Sequence, residues 1–295
     1  SPISATGDID QDGRDELFLS GKTSDCTWEA GLYRYQDKSF IRLESSLIPL
    51  YEGRACFLDY DHDGDADLCY SGMDSTQTGR FFLYRNTGSG LIRDESINLA
   101  ALNLCRLESS DFNLDGWMDL LYAGIDSEGV YIINLWYGMP QKWYSAYSEL
   151  PALYPGEYLC TDLDRDGLPD ILAGGKSKSG TLINQIYFNQ NYGQRMAKDS
   201  RFTGPELVFT GMESIDIDHD GDQDVVFSGY QSGYQPISGI FLNRPTGTLD
   251  PDYRVLEPIQ GDLTLSDFDL DGNPDLILSG LNRDLKPETH YISGI

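Results

Sequence analysis

Positive charge is scarce in this chain. Its 295 residues carry 21 Lys and Arg against 48 Asp and Glu, a formal net charge of -27. So acidic a surface repels nucleic-acid phosphates and anionic lipid, which excludes a nucleic-acid partner. Long apolar runs are missing as well. The longest, such as 132–137, are strand-sized and fall far short of the ~20 residues that span a bilayer, so no direct membrane insertion is expected of this segment. No basic region followed by an apolar stretch opens the sequence, and it reads as a mature or trimmed piece. Histidine is limited to His62, His219 and His290, and no Ser sits in a G-x-S-x-G elbow, which removes the usual general base and nucleophile signatures. The five cysteines form no C-x-x-C pair, which argues against zinc. Cys56, Cys69 and Cys160 fall in strand-like runs and read as small buried hydrophobes, with a Cys56–Cys69 disulfide as the alternative. Helical periodicity is also wanting, and 99–107 is the nearest approach to it. Disorder is not indicated, because 40% hydrophobic and 12% aromatic residues suffice for a core.

What is present is a repeat. Six segments align: DIDQDGRDELFLSG from Asp8, DYDHDGDADLCYSG from Asp59, DFNLDGWMDLLYAG from Asp111, DLDRDGLPDILAGG from Asp162, DIDHDGDQDVVFSG from Asp216 and DFDLDGNPDLILSG from Asp267. Their starts lie 51 to 54 residues apart and fill the chain, which predicts a single domain over 1–295. Around each loop run short apolar segments separated by Gly, Asn, Asp and Pro, the pattern of strands. Four strands per ~50 residues, repeated, is the signature of propeller blades, which bury both faces of each sheet only by stacking. The fold class expected is therefore all-β, a β-propeller of four-stranded antiparallel blades with six blades visible and a six- or seven-bladed ring. The sequence starts on a first strand near Ile3 and stops on a third strand at 290–295. The last blade is thus expected to be incomplete, its fourth strand supplied by other residues or another chain.

In each loop, positions 1, 3, 5 and 9 carry oxygen-bearing side chains around an invariant Gly at position 6. These are Asp8, Asp10, Asp12 and Glu16; Asp59, Asp61, Asp63 and Asp67; Asp111, Asn113, Asp115 and Asp119; Asp162, Asp164, Asp166 and Asp170; Asp216, Asp218, Asp220 and Asp224; and Asp267, Asp269, Asp271 and Asp275. Position 7 can add a carbonyl oxygen, from Arg14, Asp65, Trp117, Leu168, Asp222 or Asn273. Clustered carboxylates repel one another, and a hard cation such as Ca²⁺, with its six to eight oxygens, explains their company. Up to six Ca²⁺ are expected, one per blade. Loops one and three, with Glu16 and Asn113, are expected to differ most in affinity. An EF-hand is excluded because position 12 is never Glu: it is Leu19, Tyr70, Tyr122, Ala173, Phe227 or Leu278.

The pattern D-x-[DN]-x-D-G-x-x-[DE], followed by an apolar strand and a small-Gly pair, resembles the FG-GAP/VCBS repeat family, which includes the propeller head of integrin α subunits. The resemblance covers essentially the whole chain. It implies a propeller with Ca²⁺ in the loop joining the first and second strands of each blade, although the integrin head has seven blades and six motifs are seen here.

The acidic loops then occupy one face of the blades. The opposite face carries connections that differ in sequence: Lys22–Glu29, Met73–Gly79, Ile125–Gly129, Lys176–Thr181, Tyr230–Ser238 and Leu281–Thr289. Trp28, Tyr154, Tyr230 and Tyr234 lie in these connections and are candidates for contacting a partner. The expectation is a calcium-stabilised, extracellular, cell-surface or secretory-pathway module for adhesion or assembly, recognising a protein partner. A carbohydrate-binding propeller is the alternative. An enzyme is not expected, since nearly all the paired carboxylates are accounted for as metal ligands.

Overall fold

The computed structural model describes the whole chain apart from residues 1–2, 24, 37–38, 45, 98, 141, 147–148, 203, 245–246, 251–253 and 267–272. No helix occurs among the described residues. Six antiparallel sheets follow one another as blades, each built in chain order. Blade 1 contains β1 (Ile3–Gly7), β2 (Glu16–Lys22), β3 (Trp28–Gln36) and β4 (Ser39–Glu44). Blade 2 contains β5 (Tyr51–Leu58), β6 (Asp67–Met73), β7 (Gly79–Asn86) and β8 (Leu91–Arg93). Blade 3 contains β9 (Asn103–Ser110), β10 (Asp119–Ile125), β11 (Tyr131–Met139) and β12 (Lys142–Ala146). Blade 4 contains β13 (Gly156–Thr161), β14 (Asp170–Lys176), β15 (Leu182–Gln190) and β16 (Arg195–Lys198). Blade 5 contains β17 (Val208–Ile215), β18 (Asp224–Gln231), β19 (Gln235–Phe241) and β20 (Arg254–Val255), and blade 6 contains β21 (Gln260–Ser266), β22 (Asp275–Leu281) and β23 (Pro287–Ile292). The architecture is that of a β-propeller. Two compact units divide the chain, Ser1–Ser148 and Glu149–Ile295, each with three blades.

Within each unit the second strand of a blade is its most buried. In β6, β10 and β14 the first six residues are all buried: strands one and three cover both edges of each, and its side chains pack against an adjacent sheet. Phe18, Leu68 and Tyr70 join blades 1 and 2; Leu83, Leu120 and Tyr122 join blades 2 and 3. In the second unit Leu172, Phe209, Phe227 and Phe241 join blades 4 and 5, and Val226, Leu276 and Leu278 join blades 5 and 6. Each such side chain contributes about 1.5–3 kcal/mol on burial. The Gly of the small-Gly pair that ends the second strand is a packing requirement: a Cβ on Gly72, Gly175, Gly229 or Gly280 would lie 2.2–2.7 Å from a backbone carbonyl oxygen, of Tyr51, Pro155, Val208 or Gln260 respectively.

Buried tyrosine hydroxyls fasten the connections between blades. Tyr70 donates to Ile48 O at 2.9 Å, and Tyr158 to Pro151 O at 2.7 Å. Tyr122 accepts from Leu102 N at 2.8 Å. A buried Tyr hydroxyl usually finds such a partner. All five cysteines are free thiols, Cys56 and Cys69 facing each other as cross-strand partners in blade 2.

Candidate metal centres and the face opposite them

The acidic loops connect first to second strands, and their backbone is shaped by their own carboxylates. The position-1 Asp accepts the N–H of the Gly at position 6, at 2.9–3.0 Å in loops one to five. That Gly has φ between 82° and 91° in these loops, the left-handed conformation that glycine adopts freely. The position-5 Asp accepts the N–H of position 7 at 2.8–3.0 Å. Position 4 is also left-handed, with φ of 57° at Gln11 and 60° at His62, Arg165 and His219.

The position-9 carboxylate is buried at the root of the loop. Glu16, Asp67, Asp119, Asp170 and Asp275 are fully buried, and Asp224 nearly so. In loops two to five one oxygen accepts the N–H of position 2, from Tyr60, Phe112, Leu163 or Ile217, at 2.8–3.0 Å. The other accepts an amide of the third strand or of the second residue after it: Asn86, Gly138, Asn189 and Asn243 at 2.7–2.8 Å, and in blade 6 Gly294 donates to Asp275 at 2.9 Å. Burial, opposed by these amides, pushes Asp67 up to about 6 and Asp119 and Asp170 up to about 7. Asp224, Asp61 and Asp164 are raised for the same leading reason. Ionised carboxylates in such places call for a compensating cation.

Carboxylate oxygens of positions 1, 3 and 9 converge to within 4.8 Å of one another in four blades. The groups are Asp8, Asp10 and Glu16; Asp59, Asp61 and Asp67; Asp162, Asp164 and Asp170; and Asp216, Asp218 and Asp224. Such spacing suits oxygens on a shell of about 2.3–2.6 Å radius. The buried Oδ1 atoms of Asp61, Asp162 and Asp164 accept no hydrogen bond, which leaves their lone pairs available to a metal ion. These residues fit a hard divalent metal. The position-5 acids Asp12, Asp63, Asp166 and Asp220 stand outside these trios and cap the turn.

Arginines reach into loops one and two: Arg34 bonds Glu16 at 2.8 Å and also contacts Asp10, and Arg85 Nη1 lies 3.6 Å from Asp61. In loop three Asn113 donates to Asp115 at 3.0 Å, and Asp111, Asn113 and Asp119 supply only two carboxylates. Asp267, Asp269 and Asp271 lie outside the described residues. Of the position-7 residues, Arg14 is exposed and Leu168 buried.

Two sets of contacts between adjacent loops were not expected from the sequence. Position 4 reaches forward: Gln11 donates to Gly64 O and Asp65 at 2.7 Å, His62 packs on Trp117 with ring centroids 5.1 Å apart, and Arg165 donates to Asp220 O at 2.7 Å. The Asn at the third strand's end reaches back: Asn86 Nδ2 donates to Ile9 O at 2.6 Å, and Asn243 Nδ2 to Leu163 O at 2.8 Å. The available signal was the Asn recurring 19 residues after position 9, as Asn86, Asn189 and Asn243.

At the other end of the blades, five of the six connections share one backbone. In the turns beginning at Thr23, Asp74, Asp126, Ser177 and Asn282 the first N–H bonds to the fifth C=O, and the fourth N–H returns to the first C=O. The fourth residue is left-handed in each, from 58° at Leu285 to 80° at Gly180. The connections vary in sequence but not in path. The one expected over Tyr230–Ser238 is mostly strand, since β18 runs to Gln231 and β19 restarts at Gln235; cross-strand pairing continues almost to the tip.

Three of the four candidate aromatics meet in the second unit. Tyr230 and Tyr234 stack at 5.2 Å, with Lys176 Nζ 5.9 Å from the Tyr230 ring. Burial first, then the neighbouring Tyr234 and Tyr154, raises Tyr230. Tyr154 N donates to Lys176 O at 2.8 Å. Trp28 instead packs on Tyr51 at 4.8 Å in the first unit, under Lys22.

Residues 162–227 match the family model described as FG-GAP-like repeat. No curated protein matches the sequence. Solved structures that resemble the chain include AofleA from Arthrobotrys oligospora, with a TM-score of 0.58 at 11% identity, covering 99% of this chain and 86% of that one. An arginine-to-alanine triple mutant of AofleA gives a TM-score of 0.60 at 11% identity, covering 99% and 82%. The V. cholerae biofilm matrix protein Bap1 gives 0.42 at 14% identity, covering 91% of this chain and 41% of that one. At 11% identity the likeness to AofleA concerns the fold. The matched repeat runs from the acidic loop of blade 4 into blade 5, and the same loop sequence recurs in every other blade, which supports reading this β-propeller as an FG-GAP/VCBS-type repeat protein.

Proposed function

We propose that the chain is a calcium-stabilised binding module, serving adhesion or assembly outside the cell or in the secretory pathway, and that it recognises its partner through the face opposite the acidic loops. The observation that carries the metal part is the convergence of three carboxylates in each of four blades, with orphaned buried oxygens in two of them. Ca²⁺ is the cation of choice because every candidate ligand is a hard oxygen and the loops are exposed and adaptable. Loops of this kind are suited to millimolar extracellular Ca²⁺. Binding rather than catalysis is supported by how the carboxylates are engaged, held by backbone amides at the base of loops rather than paired across a cleft.

The recognition part rests on the aromatic residues gathered at the turn face. Because five turns share one short path, discrimination there comes from side chains on a rigid frame. Thermal unfolding in Ca²⁺ and in EGTA, with metal counting on the native protein, tests the reading. Each filled site at 100-fold excess over its Kd adds about 2.7 kcal/mol, so a large loss of stability in EGTA is expected. Unchanged melting with no bound Ca²⁺ would remove the metal assignment.

A further inference from the structure

Two clefts in the second unit share Leu182 and Glu206 as a common wall, and both open at the end of the blades remote from the acidic loops. One, of about 200 Å³, is lined by Lys176 and the Tyr230–Tyr234 stack. The other, of about 460 Å³, lies under the connection from β16 to β17 and is lined by Asn184, Asp199 and Phe202. Tyr234 is 66% exposed and Tyr230 8%, so the stack offers one free ring face on a buried support. Lys176 occupies the neighbourhood of Tyr230 and leaves Tyr234 uncovered.

The second cleft has an unmet hydrogen-bonding demand. Asp199 is 6% exposed, its Oδ1 accepts from Arg201 Nε at 2.9 Å, and its Oδ2 accepts nothing. Asn184 spends its Nδ2 on Leu207 O at 3.0 Å and on Pro205 O, while its Oδ1 also accepts nothing. Buried acceptors left unpaired are rare and point to an absent donor. Both side chains line the larger cleft, with these oxygens recessed in its wall. The surrounding charges nearly cancel: Lys176, Lys198 and Arg201 stand against Asp199 and Glu206. In a chain of net charge -27 this patch carries no excess of acid.

We infer that these adjoining clefts form a binding site for a neutral oligosaccharide segment, one ring lying on Tyr234 and hydroxyls of a neighbouring ring donating toward Asp199 Oδ2 and Asn184 Oδ1. A ring platform next to unpaired acceptors, with balanced charge, suits a ligand that has an apolar face and many hydroxyl donors and carries no charge. The site is single rather than repeated in each blade, because only blade 5 places a tyrosine pair at its β18–β19 turn. The inference rests on the binding-module reading and names the partner class for that face.

Native affinity electrophoresis of the full chain in Ca²⁺, through gels cast with laminarin, galactomannan or xylan, tests it. At least one of these neutral polysaccharides should retard the protein. Tyr234→Ala, on an exposed side chain, and Asp199→Ala should each weaken that retardation by roughly tenfold or more in apparent association constant. Tyr192→Ala, at a 63% exposed ring outside both clefts, should leave it unchanged. Retardation by none of the three, retardation only by anionic polygalacturonate, or retardation that survives Tyr234→Ala overturns the inference. Melting of the same samples in Ca²⁺ and EGTA reports separately on the metal-stabilised frame, so the site can fail while the frame stands.

Discussion

Asp119 accepts two backbone amides, from Phe112 and Gly138, with no exposed surface of its own. The amides hold its place, but burial dominates and raises it to about 7, as it does Asp170, with Asp67 at about 6. A folded value above the ordinary carboxylate value of 3.8 means that the metal-free fold keeps protons which the unfolded chain has released. Its stability is therefore greatest near and below that ordinary value and falls as pH rises from about 4 through 7. In EGTA the melting temperature should drop between pH 5 and pH 8. In saturating Ca²⁺ the drop should vanish or reverse, because the cation binds the ionised form. Melting curves at four or five pH values, with and without metal, check both limbs; a metal-free protein that gains stability toward pH 8 would contradict the assignment of these buried acids. The position-9 acids were legible in the sequence as candidate ligands. Their second role, as the clip between loop root and third strand, was not, because it depends on an amide 19 residues away.

Between elements, the loops act in pairs. Asn243 in blade 5 donates to Leu163 O at the root of loop four, while Arg165 at the tip of loop four donates to Asp220 O in loop five. Asn243→Ala would strand a buried carbonyl and should cost about 1–3 kcal/mol. Lys178→Ala, at an exposed turn residue, should stay within about 0.5 kcal/mol. Urea titrations of the two variants in Ca²⁺ distinguish them, and equal midpoints would show that the backward clip carries no weight. Sequence periodicity placed the strands correctly because each is punctuated by Gly, Asn or Asp. It placed the connections less well. Those opposite the acidic loops differ in composition, which suggested varied shapes, yet an acceptor or hydroxyl side chain at the first position and a left-handed fourth residue impose one turn on five of them.

For the molecule as a whole, the net charge of -27 opposes compaction until cations offset it. Raising NaCl in EGTA should therefore raise the melting temperature, since screening shortens the reach of like-charge repulsion to about 3 Å at 1 M. The same salt should add much less in saturating Ca²⁺. Calorimetry across a salt series checks this, and no salt response in EGTA would mean that the acidic loops are already neutralised by protons or by Arg34-type partners.

The sequence by itself determined the all-β class, the six-fold repetition, the position of each acidic loop between first and second strands, and the oxygen-bearing side chains gathered in those loops. Those properties are written locally, in spacings of two, four and eight residues and in a glycine that must turn left-handed. Only the tertiary structure decided which oxygens converge, since the position-5 acids turn to their own backbone while the position-9 acids come in from a buried strand. It alone brought Tyr154, Tyr230 and Tyr234 beside Lys176, and set Asn184 and Asp199 with unpaired oxygens in the adjoining cleft. Residues from separate strands and blades meet there because the sheets stack face to face, and no spacing along the chain encodes that proximity.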